Sequence, residues 1–318
     1  MTGGITNRIY KVDFKYEGND KVVLCRINGL STEKIIDRDV ELFHMQEMFK
    51  HGLGPQVHCV FHNGYVYDFI EGECTSTAEL MAKHCVNTAE KLAQFHKMKI
   101  EENQNPSLFK TINKWIDNIK GFEWTDEKKK QQFSELNFEK IEEFVSTIQR
   151  DVFSKKDTRV VDPTKLEDVL DLFSVGFCHN DLLALNVLYN DLDGSIHFID
   201  YEYCGYNFRA FDIGNHFDEY AGFDLNPSNY PSIETQIKFL TKYLETLYEG
   251  PSSDITADMV EKYRHGILLF SCLGSVFWGL WGICQANFSD IDFDYLKYAK
   301  QRFDWFWTDL QKVRLEEL

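Results

Sequence analysis

The sequence predicts an α+β chain of two unequal lobes, a small β-rich one over residues 1–72 and a larger, mostly helical one over residues 73–318. Two features predict it. Up to about residue 70, apolar residues alternate with polar ones at the period of strands, around a single helical stretch. Beyond that point they recur at helical spacing. Composition supplies the core for both lobes: 43% of the residues are hydrophobic and 15% aromatic, too much apolar surface for a disordered chain.

In residues 8–16, Tyr10, Val12, Phe14 and Tyr16 alternate with polar neighbours, the pattern of a half-buried strand. A turn at Glu17-Gly18-Asn19-Asp20 leads into a second strand over 21–27. Residues 33–51 carry helical spacing at Ile36, Val40 and Phe43 and stop at Gly52. Strands over 57–61 and 65–70 then flank Asn63-Gly64, a hairpin signal. Helices are expected over 77–99, 107–121, 128–153, 232–248 and 256–286. A strand pair, 185–189 and 195–199, interrupts them around a turn at 190–194.

The formal charge of −17 excludes nucleic acid and anionic membrane surfaces as natural partners, because both reward clustered Lys and Arg. It suits a cationic substrate. The eight cysteines form no C-x-x-C pair and no zinc spacing, so a reduced, cytoplasmic protein is expected. Residues 266–289 contain no charge and are long enough to span a bilayer, but glycines, serines and Gln285 dilute them. A buried helix beside a binding site is expected there, without stable membrane insertion.

The chemistry concentrates in His179-Asn180-Asp181, followed by Asn186 and, after the strand pair, Ile199-Asp200-Tyr201-Glu202. Phosphoryl transfer needs one carboxylate to orient and deprotonate the attacking hydroxyl, and oxygen ligands for the Mg²⁺ that bridges the phosphates. Asp181 suits the first task; Asn186 and Asp200 suit the second, since a hairpin returns both to one end. The protein-kinase pattern H-R-D-x-x-x-x-N…D-F-G has the same logic, with Asn180 here in place of its Arg. Isolated residues of these types more often cap turns; it is their spacing that argues for a site. The small lobe adds Gly3, Gly4, Thr6 and Asn7, able to cover phosphates, and Arg26, standing where a kinase places its phosphate-binding Lys. Glu41 is positioned to pair with Arg26, and Asp68, Phe69 and Ile70 form a hinge that could offer backbone groups to adenine.

These segments resemble the choline/ethanolamine kinase family. CHNDLLALNVLYN and IHFIDYEYCGYNFRAFDIGNHFDEYAG carry its signature, and GGITN, VLCRI, LGPQV and FWGLWGICQA follow it in order, from the glycine loop to about Arg302. The resemblance implies a protein-kinase-like fold, ATP and Mg²⁺, and phosphorylation of a small amino alcohol, the first step of phosphatidylethanolamine or phosphatidylcholine synthesis. It implies Asp181 as base, with His179 and Asn180 in the catalytic motif, and Asn186 and Asp200 as metal ligands. An amine pocket would contain Glu219, Trp278, Trp281, Phe293 and Tyr298, with Asp181 and Glu202 also on the substrate side. Trp278 and Trp281 share a helix face, and indole faces attract organic cations. Ala221-Gly222-Phe223-Asp224, with less bulk and another carboxylate, favours ethanolamine over choline. Choline kinase is the nearest alternative; an aminoglycoside-type phosphotransferase and a non-catalytic kinase-fold binding protein are the others. A homodimer is compatible with the family.

Overall fold

The computed structural model describes residues 7–29, 37–289 and 291–315. The chain forms two compact units, one of residues 1–75 with 185–204, the other of 76–184 with 205–318. Segment 185–204, expected in the helical lobe, thus groups with the first unit. Strand pairing accounts for this, as shown below.

In the first unit, β1 (Asn7–Tyr16) and β2 (Asn19–Asn28) form a hairpin that pairs Tyr16 with Asn19. Its two turn residues, Glu17 (φ 49°) and Gly18 (φ 81°), are both left-handed, the backbone whose twist matches the strands. After helix α1 (Arg38–Lys50), strands β3 (Val57–Phe61) and β4 (Gly64–Asp68) complete an antiparallel sheet in the order β1-β2-β4-β3. Asp37 caps α1, its carboxylate accepting from the amides of Asp39 and Val40. The beginning expected at 33–36 lies outside the described residues. The helix ends as expected at Gly52: the Gly52 amide donates to the Phe49 carbonyl and the Leu53 amide to Met48. Gly64 is not the turn of the second hairpin, which is His62-Asn63, but its first strand residue. A side chain there would put Cβ 2.0 Å from the carbonyl oxygen of Arg26. Tyr10, Val12, Phe14 and Tyr16 are exposed, from 40% to 59%, rather than half buried. β1 is an edge strand, and aromatic and β-branched residues favour the pleated backbone whichever way they face. A second sheet joins β5 (Glu73–Cys74) to β7 (Val187–Tyr189) and β7 to β8 (Ile196–Phe198). That pairing attaches 185–204 to this unit.

In the second unit, α2 (Thr77–Glu79), a π turn (Leu80–His84) and α3 (Cys85–His96) run on from one another. They are followed by α4 (Leu108–Lys120), α5 (Glu127–Ser134) and α6 (Phe138–Asp151). The single helix expected over 128–153 is therefore two. It breaks at Asn137, left-handed at φ 52°, a conformation asparagine tolerates, while Leu136 turns into the core. Next come α7 (Leu166–Leu170), then β6 (Val175–Cys178) paired antiparallel with β9 (Gly205–Phe208), and α8 (Arg209–Glu219). The chain ends with α9 (Ile233–Leu247), α10 (Ala257–Phe288) and α11 (Tyr295–Leu310). Strands β6 and β9 and helices α7, α8 and α11 were not anticipated. Helix α10 is long and apolar enough to cross a membrane, yet almost all of its apolar stretch is buried inside the unit. It packs against α8 and α11. At Gly214 of α8 a Cβ would stand 2.7 Å from the Ser271 amide nitrogen of α10, so only glycine allows that approach.

Candidate active site

In the first unit the site is built around one buried cation. Arg26 ends the buried part of β2, and its Nη1 lies 2.8 Å from Glu41 Oε1 of α1. This is the pair expected from the sequence, and it is buried on both sides. Arg26 Nη2 lies 3.1 Å from Glu202 Oε2, and Asp200 Oδ1 is 3.8 Å from Nη1. Arg38 supports the same carboxylates, at 2.8 Å from Glu41 Oε2 and 3.3 Å from Glu202 Oε2. The Tyr65 hydroxyl donates to Glu41 Oε1 at 3.2 Å. Burial opposes the charge of Arg26, but Tyr65 and the surrounding carboxylates outweigh it and hold the guanidinium protonated. Burial, then the charge of Asp200, push the Glu202 carboxyl upward against the pull of Arg26 and Arg38.

Asn7 joins this cluster, donating to Glu202 at 3.2 Å and accepting from Arg38 at 3.0 Å. Gly3, Gly4 and Thr6 lie outside the described residues. Glu202, expected with the substrate, is instead taken up by two arginines and Asn7. At the hinge, the Asp68 amide already donates to the Gln56 carbonyl, and its carboxylate receives the Gln56 amide and His58. Asp68 thus bonds within the sheet through both its amide and its carboxylate, and Phe69 and Ile70 follow directly after β4.

Asn186 and Asp200 sit at one end of the β7–β8 ladder, as the spacing predicted. Val187 pairs with Phe198, and the Ile199 amide donates to the Asn186 carbonyl at 3.0 Å. Asp200 is left-handed at φ 65°, a strain of about 1 kcal/mol or more for a non-glycine residue. The donor atoms of Glu41, Asp200 and Glu202 lie within 4.8 Å of one another. Asn186 and Asp200 offer an amide oxygen and a carboxylate, hard oxygen donors of the kind a magnesium-like cation takes.

In the second unit, β6 delivers His179, Asn180 and Asp181. The loop is clamped by a residue missed in the sequence. Asp212, on the first turn of α8, accepts the His179 amide at 2.7 Å through Oδ2 and the Asn180 amide at 2.8 Å through Oδ1. His96 Nε2 meets the same carboxylate at 3.0 Å, its Nδ1 meets the Tyr243 hydroxyl at 2.6 Å, and Arg209 donates to that hydroxyl at 2.8 Å. All four side chains are fully buried. Asn180 is left-handed at φ 64°, and its side chain is spent on Asn207 (2.8 Å) and the Gly205 carbonyl (3.4 Å). His179 is fully buried, its ring against Phe95. His179 and Asn180 are thus held within the unit by Asp212, Phe95, Asn207 and Gly205, contacts that fix the course of the loop. Asp181 is the motif's remaining side chain. Helix α8 is buried along its whole length yet carries Arg209, Asp212, Asn215, His216, Asp218 and Glu219, a burial its sequence does not announce. Buried polar groups in that number must be bonded to something.

The side chains expected to form an amine pocket lie near one another in this unit. Trp278 and Trp281 meet edge to face at 5.7 Å, and Trp281 meets Tyr298 the same way at 6.1 Å. Phe293, 41% exposed, lies 6.1 Å from Tyr298. Glu219 forms an ion pair with Arg302, whose Nε donates to the Tyr298 hydroxyl at 2.9 Å and whose guanidinium lies 5.2 Å from the Tyr298 ring. Arg302, also missed, fixes both groups. Burial raises the Tyr298 hydroxyl pKa; Arg302 opposes that rise, while Glu219 and, more weakly, Asp181 add to it. Phe223 supplies a ring 5.9 Å from Tyr298 and 6.1 Å from Phe293. The loss of bulk expected at 221–224 is thereby reversed.

Fold and side chains together define a kinase-like phosphotransferase. The fold is shared with a solved ethanolamine kinase of Plasmodium vivax, at a TM-score of 0.82 and 24% identity over 98% of this chain and 83% of that one. The choline/ethanolamine kinase family model matches residues 1–307, so the chain belongs to that family. It is 37% identical over 310 residues to the probable ethanolamine kinase A of Dictyostelium discoideum, covering 96% of this chain and 82% of that protein. It is likewise 37% identical over 319 residues to ethanolamine kinase 1 of Mus musculus, covering 96% and 81%.

Proposed function

We propose that this chain transfers the γ-phosphoryl group of ATP to the hydroxyl of ethanolamine, with choline a poorer substrate. The observation that carries the chemistry is the catalytic loop, where Asp212 holds two consecutive amides and leaves Asp181 as the acid side chain of the motif. In this reading Asp181 accepts the proton of the substrate hydroxyl as its oxygen attacks the γ-phosphorus and ADP leaves. Arg26, held by Glu41 and Glu202, faces the phosphates, and the backbone of Phe69 and Ile70 meets the adenine. Asn186 and Asp200 are the residues that would hold Mg²⁺, which would supply positive charge against that of the phosphates. Gly3, Gly4 and Thr6 are assigned to the phosphate loop from sequence. Trp278, Trp281, Tyr298, Phe293 and Glu219 take the ammonium.

The choice of ethanolamine rests on the relatives, which carry that substrate in their names. The bulk argument from sequence no longer contributes, because Phe223 supplies the missing ring. Eight free cysteines fit a reducing compartment, hence a cytoplasmic location. The test is a coupled ADP-release assay on Asp181→Asn. We expect kcat with ethanolamine to fall by about 10²–10⁴ while the KM for ATP holds. Parallel loss of ATP affinity and turnover would assign Asp181 a structural role.

A further inference from the structure

We propose that Asn215 is a positioning residue that ties the amine pocket to the catalytic base, so that the two are set as one unit. The inference rests on the assignment of Asp181 as base and of Trp278 to the pocket. Asn215 lies in the middle of α8 and is fully buried. Its Oδ1 accepts from the Trp278 indole Nε1 at 2.6 Å, and its Nδ2 donates to the backbone carbonyl of Asn180 at 3.3 Å. Asn180 directly precedes Asp181. One amide therefore bridges a pocket wall and the residue before the base.

The orientation of that amide is fixed by chemistry. An indole N–H can only donate and a carbonyl can only accept, so the oxygen must face Trp278 and the nitrogen Asn180. Reversing it would break both bonds. Space is equally restrictive. Gly214 brings α8 onto α10 so closely that a Cβ would stand 2.7 Å from Ser271 N. The carbonyl that receives Asn215 belongs to a left-handed residue whose amide and side chain are held by Asp212, Asn207 and Gly205. A role in packing alone would be met by an apolar side chain, whereas a buried amide is tolerated only where both of its ends are bonded. A shift of Trp278 is thus transmitted to the loop that carries Asp181. This tie gives Trp278 a route to kcat.

Steady-state kinetics at varied amine and ATP on Asn215→Leu, Trp278→Phe and the double variant test the tie. The first keeps size and removes both bonds; the second keeps an aromatic face and removes the indole N–H. We expect kcat to fall about tenfold in Asn215→Leu and about threefold in Trp278→Phe, with the ATP KM within about twofold, on the scale of one buried hydrogen bond. The double variant should turn over no slower than Asn215→Leu, because the bond it removes is already gone. Multiplied losses in the double variant, or a Trp278→Phe kcat within about twofold of wild type, overturn the proposal. If Asn215→Leu fails to fold, the kcat of Trp278→Phe decides alone. Asp181→Asn measured alongside separates the two readings: a wild-type kcat there removes the base assignment, whatever Asn215 does.

Discussion

Asp218 isolates what burial does to a single acid. It sits on α8 one residue before Glu219, is fully buried, and receives the hydroxyls of Ser271 and Ser275. Burial, first of all, holds its carboxyl well above the usual range; Ser271 and Arg302 pull it down, while Glu219 and Asp309 push it up. The consequence for stability has a definite sign. At low pH the group is protonated in both states and costs nothing. As pH rises past the ordinary carboxylate value, the unfolded chain releases the proton and the native one keeps it, so stability falls. Asp218→Asn removes that penalty. The Tm of the variant should exceed that of wild type by a margin that widens from pH 4 to pH 8; a constant or narrowing margin would mean Asp218 is ionised in the fold. At this scale the sequence was readable where spacing carried the signal, as for the Arg26–Glu41 pair and for Asn186 and Asp200, which lie at one end of the β7–β8 ladder. Asp212, Asn215 and Arg302 were hidden because their partners come from other elements, and nothing local distinguishes a clamp from a solvated polar residue.

Gly64 makes the same point for elements. Asn63-Gly64 located the hairpin correctly, but the glycine is there for the strand beside it rather than for the turn. Gly64→Ala would drive a methyl into the Arg26 carbonyl, 2.0 Å away, and must part β2 from β4 or bend β2. A loss of about 1–3 kcal/mol in stability is expected, the usual cost of overpacking. Because β2 carries Arg26, the ATP KM should rise while the amine KM holds. Equal rises in both would place the strain elsewhere. Strand and helix periods revealed β1 to β4, β7, β8 and helices α1, α3, α4, α9 and α10. They missed β6, β9 and α8, which are buried on all sides and so have no polar face to set a period. The break at Asn137 escaped notice for a related reason, since the charged surface continues across it.

At the scale of the molecule, the sequence placed one lobe boundary near residue 72, and the structure makes the division discontinuous. Two residues of β5 recruit the whole 185–204 segment, a long-range pairing that no local pattern encodes. A net charge of −17 sets Arg26 and Arg38, among their carboxylates, apart as a local cationic cluster and favours a cationic co-substrate. The central claim is that this cation is ethanolamine. The direct measurement is kcat/KM for ethanolamine and for choline in one ADP-release assay at saturating ATP and Mg²⁺. A primary ammonium donates three N–H bonds and gains from oxygen acceptors, whereas a quaternary one is held by ring faces alone. The account predicts the higher kcat/KM for ethanolamine, with choline turned over measurably because Trp278, Trp281, Tyr298 and Phe223 still surround it. Choline equal to or better than ethanolamine would contradict it.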